Sequence, residues 1–394
     1  MNLYMKRLAI FFAMVVLAAC SSKKEEAPVS DVEEAPTVLL EKNIPIAIEH
    51  YKNMMETLEG EEFPKTYVDG EFKTSNSGWW CSGFYPGTLL YLFQESGDST
   101  LLTEAERMLK LLEIEQYNKY THDLGFMMYC SFGNALKIAP KEEYKRILVN
   151  SAESLSSRFS EEVGAIKSWD SLPEDYLVII DNMMNLELLF WATRETGDST
   201  FYDIAVTHAN TTLENHFRED NSSYHVVNYD PNGGGIQEKK TAQGLSDSSA
   251  WARGQAWGLY GFTVMFRETR DSVYLDQADK IAQFFVNHPN LPKDKIPLWD
   301  FDAKADEERD ASAAAIAASG LLELDEYHPD RGYAKIAKEM LAVLSGYYTA
   351  EVGTNGNFLI MHNVGHKPEN SEVDVPLTYA DYYFIEGLIR LSNK

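Results

Sequence analysis

One aspartate lies in a setting that is unusual for a charged residue. Asp181 occurs in the stretch YLVIIDNMMNLELLFWA, and no lysine or arginine occurs between Ser168 and Thr193. A carboxylate beside Val178 and Ile180 loses much of its hydration, and no local cation offsets that loss. We therefore predict that Asp181 caps a helix, or is kept for chemistry, or both.

Other apolar segments also begin with an acidic residue: Asp123, Asp247, Asp310 and Asp381. Aspartate is a favoured N-cap because its side chain accepts hydrogen bonds from the unpaired N–H groups of the first turn. For any one of these positions an N-cap is the preferred interpretation.

Polar and aromatic residues suited to a carbohydrate site cluster in and before the same segments. The candidates are Trp80, His122, Trp169, His225, Gln243, Trp251, Arg253 and Trp257. Aromatic platforms beside carboxylates resemble a sugar-binding site, and Arg or His is available for a sugar carboxylate. The alternative is that most of these tryptophans belong to the core.

The sequence gives little support to other chemistries. It contains no HExxH or CxxC pattern, the nine histidines lack a recognisable ligand spacing, and NGGGIQ is not followed by the Lys-Ser/Thr of a phosphate-binding loop. We therefore expect no metal and no cofactor. Without its first 19 residues the chain has 33 basic and 61 acidic residues, a net charge near −28. Such a chain repels nucleic acid, and an anionic substrate would need basic residues concentrated in its pocket.

The N-terminus has the parts of an export signal. Lys6 and Arg7 precede an apolar stretch that ends in Leu-Ala-Ala-Cys, which predicts a signal peptide at 1–19. This ending resembles a bacterial lipobox, so we expect lipidation of Cys20, with an ordinary signal peptide as the alternative. Residues 20–40 then form a flexible tether to a membrane of a Gram-negative bacterium, facing the periplasm or the outer surface. We expect Cys81 and Cys130 to be unpaired thiols.

An internal repeat indicates the fold. YLFQESGDST returns as LLFWATRETGDST and as MFRETRDSV, each an apolar helix end, a short turn and the start of an amphipathic helix. With two looser copies, a helix near 43–58 and a last helix, the pattern predicts twelve helices. Six are apolar all round, near 82–95, 122–138, 180–195, 250–267, 310–325 and 378–391. Alternation of buried and amphipathic helices predicts an all-α (α/α)6 barrel over 41–394, with an open solenoid as the alternative. The inner helices of such a barrel run parallel, so the acidic residues that begin them converge on one mouth.

Seven segments together resemble glycoside hydrolase family 88, the unsaturated glucuronyl hydrolases. They occur in order as WCSGFYPG, HDLGF, VIIDNMMNLELLFWA, SSYHVVNYDP, AQGLSDSSAWARGQAWGLYGF, RDASAAAIAASGLLEL and YADYYFIEGLIRL. The resemblance implies hydration of the C4=C5 double bond of a terminal 4-deoxy-hex-4-enuronic acid, on oligosaccharides made by polysaccharide lyases.

The resemblance also assigns roles. Asp181 falls on the general acid/base and Asp123 on the second essential aspartate. The substrate positions are Trp80, His122, Trp169, His225, Gln243, Trp251, Arg253 and Trp257. An apolar surround and a nearby Asp123 would raise the pKa of Asp181, and a helix N-terminus would lower it.

Two other functions stay open from the residues alone. One is an unsaturated rhamnogalacturonyl hydrolase with the same barrel, and the other is a surface glycan-binding lipoprotein that needs tryptophans but no acid pair. The second sugar and its sulfation are also open, because the region around His366 and Lys367 lacks the Ser/Lys-rich loop of relatives that prefer sulfated disaccharides. Chondroitin, hyaluronan, heparin-type and ulvan fragments all remain candidates.

Overall fold

A computed structural model describes residues 35–394; the predicted signal peptide at 1–19, Cys20 and most of the predicted tether lie outside the described residues. Twelve α-helices account for about half of this part of the chain: α1 Pro36–Thr57, α2 Phe84–Ser96, α3 Ser99–Leu112, α4 Asn134–Ile138, α5 Glu142–Ser156, α6 Leu186–Thr196, α7 Ser199–Asn215, α8 Ala252–Thr269, α9 Ser272–Asn287, α10 Ala311–Tyr327, α11 Tyr333–Val343 and α12 Thr378–Ser392. A π-helical stretch, Gly125–Gly133, leads into α4, and a 3₁₀ stretch, Ile180–Asn185, leads into α6. Helix α1 begins inside the segment predicted to be tether.

The even-numbered helices form a closed ring. Each of α2, the segment 125–138, α6, α8, α10 and α12 contacts the next, and α12 contacts α2. The odd-numbered helices pack outside them, as α9 does on α8 and α1 does on α12. Helix α10 is buried on all sides over most of its length, whereas α3 buries one face only. The (α/α)6 barrel predicted from the alternation is confirmed, and the open solenoid is excluded.

Three of the repeated turns adopt the same local structure. In each, an inner helix ends at a residue with positive φ, namely Gly97 (70°), Gly197 (76°) and Arg270 (60°). The following aspartate, Asp98, Asp198 or Asp271, then accepts a hydrogen bond from a backbone N–H two residues on. This left-handed stop and side-chain N-cap reverse the chain at the end of the barrel remote from the mouth.

Short strands, which the sequence analysis did not predict, build the mouth. They are β1 Phe63–Val68, β2 Glu71–Ser75, β3 Phe159–Ser160, β4 Ala165–Ile166, β5 Tyr176–Ile179, β6 Val226–Tyr229, β7 Ile236–Lys240, β8 Asn363–His366 and β9 Ser371–Val375. All of them lie in connections that lead into an inner helix. Strands β5, β6 and β7 form an antiparallel sheet, with Ile179 opposite Val226. This sheet delivers the chain to the start of α6.

The acidic residues at the inner helices are mostly not N-caps, contrary to the preferred interpretation. Asp310 is one, since its carboxylate accepts from the N–H groups of Ser312 and Ala313. Asp381 lies inside α12 and accepts from the backbone of Leu359 and Ile360. The remaining acids bind no N–H group of the helix that follows them, because their oxygens face loops or the mouth.

Asp247 precedes α8 by several residues, is exposed, and closes a loop turn by accepting from Thr241 N–H. Cys81 and Cys130 are free thiols, as expected. Within residues 35–394 no helix is both long and apolar enough to cross a membrane.

Candidate active site

Asp181 is held where β5 gives way to the 3₁₀ turn before α6. The backbone N–H of Ile180 donates to the carbonyl of His225 at 3.0 Å, which ties this turn to the neighbouring strand β6. Asp181 is 9% exposed, and its Oδ2 has no hydrogen-bond partner within the described part of the chain. Its side chain makes no N-cap bond. Asp181 is therefore a buried carboxyl group with one oxygen free to bind a substrate.

The surroundings of Asp181 favour its protonated form. Burial raises its pKa, the charge of Asp123 raises it further, and Arg253 lowers it, with a result of about 7 against an ordinary 3.8. The neutral acid persists because desolvation penalises only the charged form. At neutral pH this group has a proton to give.

Asp123 precedes the π-helical stretch and is the second acid of the mouth, with a side chain that is 14% exposed. Thr121 Oγ1 lies 3.4 Å from its Oδ2 and accepts the Asp123 backbone N–H at 3.0 Å. Burial raises the pKa of Asp123 to about 7, although Thr121, Asn185 and Arg158 each lower it. The two aspartates repel one another when both are ionised, so they behave as a coupled pair.

A glycine allows these two acids to approach. A Cβ on Gly125 would lie 2.4 Å from Cα of Asn185. The N–H of Phe126, the next residue, donates to Asn185 Oδ1 at 3.1 Å. The segments that carry Asp123 and Asp181 are thus in backbone contact, which explains the glycine in the HDLGF motif.

His225 is a neutral imidazole with a defined tautomer. Its Nδ1 accepts the backbone N–H groups of Ala242 and Gln243, both at 3.1 Å. A nitrogen that accepts carries no proton, so the proton is on Nε2, 3.7 Å from Asp181 Oδ2. Burial lowers the pKa of His225 well below its usual value, and Arg253 lowers it further. His225 therefore presents an N–H dipole rather than a positive charge to Asp181.

His122 is uncharged for a similar reason. Its Nε2 lies 3.3 Å from Asp123 Oδ1, and its side chain is 3% exposed. Burial lowers its pKa to about 3, and the charge of Arg158 acts in the same direction. The sequence analysis offered Arg or His as the partner of a sugar carboxylate, but at neutral pH neither His122 nor His225 carries a positive charge.

Arg253 is the cation of the site and is rigidly held. It is 2% exposed on α8, and its Nη1 donates to the carbonyl of Val364 and lies 3.4 Å from Asp310 Oδ2. Its Nη2 donates to Gln243 Oε1 at 2.5 Å and to the carbonyl of Gly365 at 2.8 Å. Because Gln243 accepts from Arg253 through Oε1, the two N–H groups of the Gln243 amide remain as donors.

Most of the predicted aromatic residues line one continuous wall. Trp251 stacks beside His225 with ring centres 4.4 Å apart and lies 4.5 Å from the Arg253 guanidinium. Trp169 meets His225 edge-on at 5.7 Å. Trp80, half-buried, completes the wall through Tyr379, at 4.9 Å.

Trp257 has a different position from the other candidates. It is 0% exposed and packs between Phe126 and Tyr383. Its indole N–H has no hydrogen-bond partner within residues 35–394. The ring of Trp257 lies in the barrel core and is separated from Trp80 by Phe126. It therefore supports the site from beneath and does not line it.

Sequence reasoning missed Tyr379 and Asn185, and it placed Asp310 at the mouth without its pairing to Arg253. Tyr379 lies between Trp80 and Arg253, with its ring 5.4 Å from the guanidinium and a buried hydroxyl that has no described partner. Asn185 joins the two acidic segments, and Asp310 pairs with Arg253. The motif YADYY contains Tyr379, and spacing alone gave no reason to prefer it to its neighbours. Within residues 35–394 no group of three or more His, Cys, Asp or Glu side chains could hold a metal ion.

Comparison with known proteins places this geometry in a family. The model of Glycosyl Hydrolase Family 88 matches residues 52–392. The chain is 46% identical to an unsaturated glucuronyl hydrolase of Formosa agariphila over 320 residues, and this aligned region covers 80% of each chain. It is 33% identical to an unsaturated chondroitin disaccharide hydrolase of Streptococcus pneumoniae, over 84% of this chain and 86% of that one. A crystal structure of an unsaturated glucuronyl hydrolase specific for heparin aligns with a TM-score of 0.88 and 45% identity, over 90% of this chain and 97% of that one.

The fold and the paired acids at its mouth are those of a glycoside hydrolase. The chain belongs to glycoside hydrolase family 88. This membership excludes the glycan-binding lipoprotein without catalytic activity, and the named relatives favour the glucuronyl over the rhamnogalacturonyl group.

Proposed function

We propose that this enzyme hydrates the C4=C5 double bond of a non-reducing-end 4-deoxy-hex-4-enuronic acid, with Asp181 as general acid and base. The observation that carries the proposal is the Asp181 carboxyl group, which is buried, unpartnered at Oδ2 and raised in pKa to about 7. A general acid works best when its pKa lies near the working pH.

The reaction balances as the addition of one water. Asp181 transfers its proton to C4, and the positive charge that develops is shared by C5 and the ring oxygen. The Asp181 carboxylate then accepts a proton from the water that adds at C5. The resulting hemiketal opens, and the second sugar leaves with its own hydroxyl group restored. Asp181 ends the cycle protonated.

The remaining residues of the site orient these groups. The Nε2–H of His225 faces the Asp181 carboxylate that forms after proton transfer and stabilises it. Arg253 supplies the positive charge that a substrate carboxylate needs and fixes Gln243, whose amide N–H groups are donors for the uronate or the attacking water. Trp80 and Trp169, both partly exposed, offer ring faces to the sugars. Trp251 is buried and packs against His225 and Arg253, so it holds these two side chains in place. The charge of Asp123 keeps the pKa of Asp181 high.

Loss of the substrate's own chromophore tests the proposal. The protein without its first 34 residues is mixed with unsaturated disaccharides, and absorbance of the conjugated enol acid is followed. Heparin-type disaccharides are tested first, because the chain is 45% identical to the heparin-specific enzyme and 33% identical to the chondroitin disaccharide hydrolase. Asp181→Asn should lose activity by about 10³-fold or more, since general acid–base catalysis contributes on that scale.

The matched control is Asp247→Asn, an exposed aspartate whose turn bond to Thr241 an asparagine oxygen can keep. This control should retain at least half of the wild-type rate. Substantial turnover by Asp181→Asn would contradict its role, and a folded wild type that turns over no disaccharide would contradict the reaction itself.

We also propose that the chain is a lipoprotein anchored through Cys20. The proposal is supported by Lys6, Arg7 and the Leu-Ala-Ala-Cys ending. Palmitate labelling and membrane fractionation of the full chain should show lipid on the wild type and none on Cys20→Ala. An unlabelled wild type cut near residue 20 would instead indicate an ordinary signal peptide.

A further inference from the structure

A groove of about 490 Å³ lies beside the candidate active site, and nothing in the proposed reaction uses it. Its lining includes Lys119, Tyr120, Arg158, Lys167 and Tyr176. These residues all lie between the end of an outer helix and the start of the next inner helix. The groove therefore opens at the mouth end of the barrel.

The groove is lined by the same two segments of the chain that carry residues of the candidate active site. Lys119 and Tyr120 come just before His122 and Asp123, and Lys167 comes two residues before Trp169. The charge of Arg158 lowers the pKa of Asp123, so the electrostatic field of the groove reaches this acid of the site.

The groove concentrates positive charge in an acidic protein. Three of its side chains are cationic, against one carboxylate, Asp170. Lys119 is exposed and makes no ion pair within residues 35–394, and the Lys167 ammonium approaches Asp170 Oδ1 only to 4.0 Å. The two ammonium groups therefore keep most of their donors for an outside anion.

The groove is also built on a rigid frame. The Arg158 side chain is 5% exposed and donates to the carbonyls of Lys119 at 2.8 Å, Lys167 at 2.9 Å and Ser168 at 3.2 Å. It thereby fixes the two segments that carry the lysines. Tyr120 is 86% exposed and offers a ring face of the kind that sugars stack on.

We propose that this groove is a distal subsite that binds an anionic group of the leaving saccharide through Lys119 and Lys167. The anionic group is the carboxylate of a uronate in the third sugar, or a sulfate ester. This proposal rests on the proposed function, because it presupposes a saccharide bound at Asp181. It gives the enzyme a preference for longer or sulfated fragments.

The test compares the double variant Lys119→Gln/Lys167→Gln with the control Lys335→Gln, an 81% exposed lysine on the outer helix α11. Three unsaturated substrates are used: an unsulfated disaccharide, a sulfated disaccharide and an unsulfated tetrasaccharide. We expect the double variant to have a roughly tenfold higher KM for the sulfated disaccharide, the tetrasaccharide or both, as the loss of two ion pairs implies. KM for the unsulfated disaccharide, and kcat throughout, should change less than twofold, and the effect should shrink with added salt.

The arms of this experiment separate the possible sources of the anion. An effect on the tetrasaccharide alone identifies a uronate carboxylate, and an effect on the sulfated disaccharide alone identifies a sulfate ester. Equal KM values for the double variant and the control on all three substrates would overturn the subsite, as would an equal rise on all three. If wild type turns over none of them, the proposed reaction fails, which is a different result.

Discussion

The two ends of the barrel treat buried carboxylates in opposite ways. At the mouth, the side chains of Asp123 and Asp181 are 14% and 13% exposed and have few partners, and the pKa of each is raised to about 7. At the opposite end, Glu323 on α10 and Glu386 on α12 are each 7% exposed, a similar degree of burial. There both carboxylates accept several hydrogen bonds, and two arginines reverse the direction of the pKa shift of Glu323.

Glu323 shows what those donors do. Arg267 donates to both of its oxygens, at 3.1 and 3.0 Å, and Arg390 donates to Oε2 at 2.8 Å. Burial raises the pKa of Glu323, but the two arginines outweigh burial and hold it below the usual value. Glu386 accepts from the hydroxyls of Tyr260 and Ser319.

The difference lies in how each arginine is used. Arg253 at the mouth directs its donors to backbone carbonyls, Asp310 and Gln243, and reaches Asp181 only through its field. Arg267 and Arg390 bind Glu323 directly. Burial by itself therefore does not decide the direction of a carboxyl pKa, because two arginines that bind Glu323 directly outweigh its burial, whereas Arg253 does not outweigh the burial of Asp181.

The largest expected effect on stability comes from removing the arginines that bind Glu323 at the end of the barrel opposite the mouth. Arg390→Met should lower the free energy of unfolding by about 3 kcal/mol, because it leaves Glu323 and Glu386 less compensated while they remain buried. Asp181→Asn should change it little at pH 7, or raise it, because it removes a carboxylate that is unfavourable when charged. Urea unfolding of both variants measures the contrast. The comparison fails if Asp181→Asn proves the more destabilising of the two.

The pH dependence of stability sharpens the same contrast. The pKa of Asp181 is raised on folding from 3.8 to about 7, so the folded state binds the proton more tightly. Its stabilising contribution is full below about pH 4 and is lost as pH rises through about 7, by at most on the order of 4 kcal/mol. Glu323, with a lowered pKa, stabilises above its ordinary pKa and loses that contribution as pH falls.

Unfolding measured from pH 4 to 8 should therefore give a smaller loss of stability with rising pH for Asp181→Asn than for wild type. The slope is the readout, because the asparagine adds a constant offset. Parallel curves for the two proteins would show that Asp181 does not carry the shift. On the activity side, the wild-type rate should fall above about pH 7 as Asp181 loses its proton.

The barrel was predictable because its signals are local. Each apolar or amphipathic helix, and each turn such as ETGDST, is determined by a segment of about twenty residues or fewer. The acids and tryptophans of the mouth were found for the same reason, since they lie in or beside the segments that begin inner helices.

The features that were missed depend on contacts far apart in sequence. Arg253 is held by the carbonyls of Val364 and Gly365, more than 100 residues away. Strand β6 is buried at all four positions, so it shows no alternation that would mark it as a strand. The tautomer of His225 follows from the loop that contains Ala242 and Gln243, whose path the sequence does not reveal.

The smallest expected effect on stability comes from the repeated turns at the end of the barrel opposite the mouth. Two of them stop an inner helix with glycine at positive φ, Gly97 and Gly197, whereas the third uses Arg270 at φ 60°. A side chain in this conformation costs about 1 kcal/mol relative to glycine. Arg270→Gly should therefore raise the free energy of unfolding by about 1 kcal/mol, reduced by the loss of the guanidinium's contact with Phe266 at 5.6 Å. Arg270→Ala is the matched control, because it removes that contact and keeps the strain. If the glycine variant is no more stable than the alanine variant, the turn of the third repeat does not store the strain that its geometry implies.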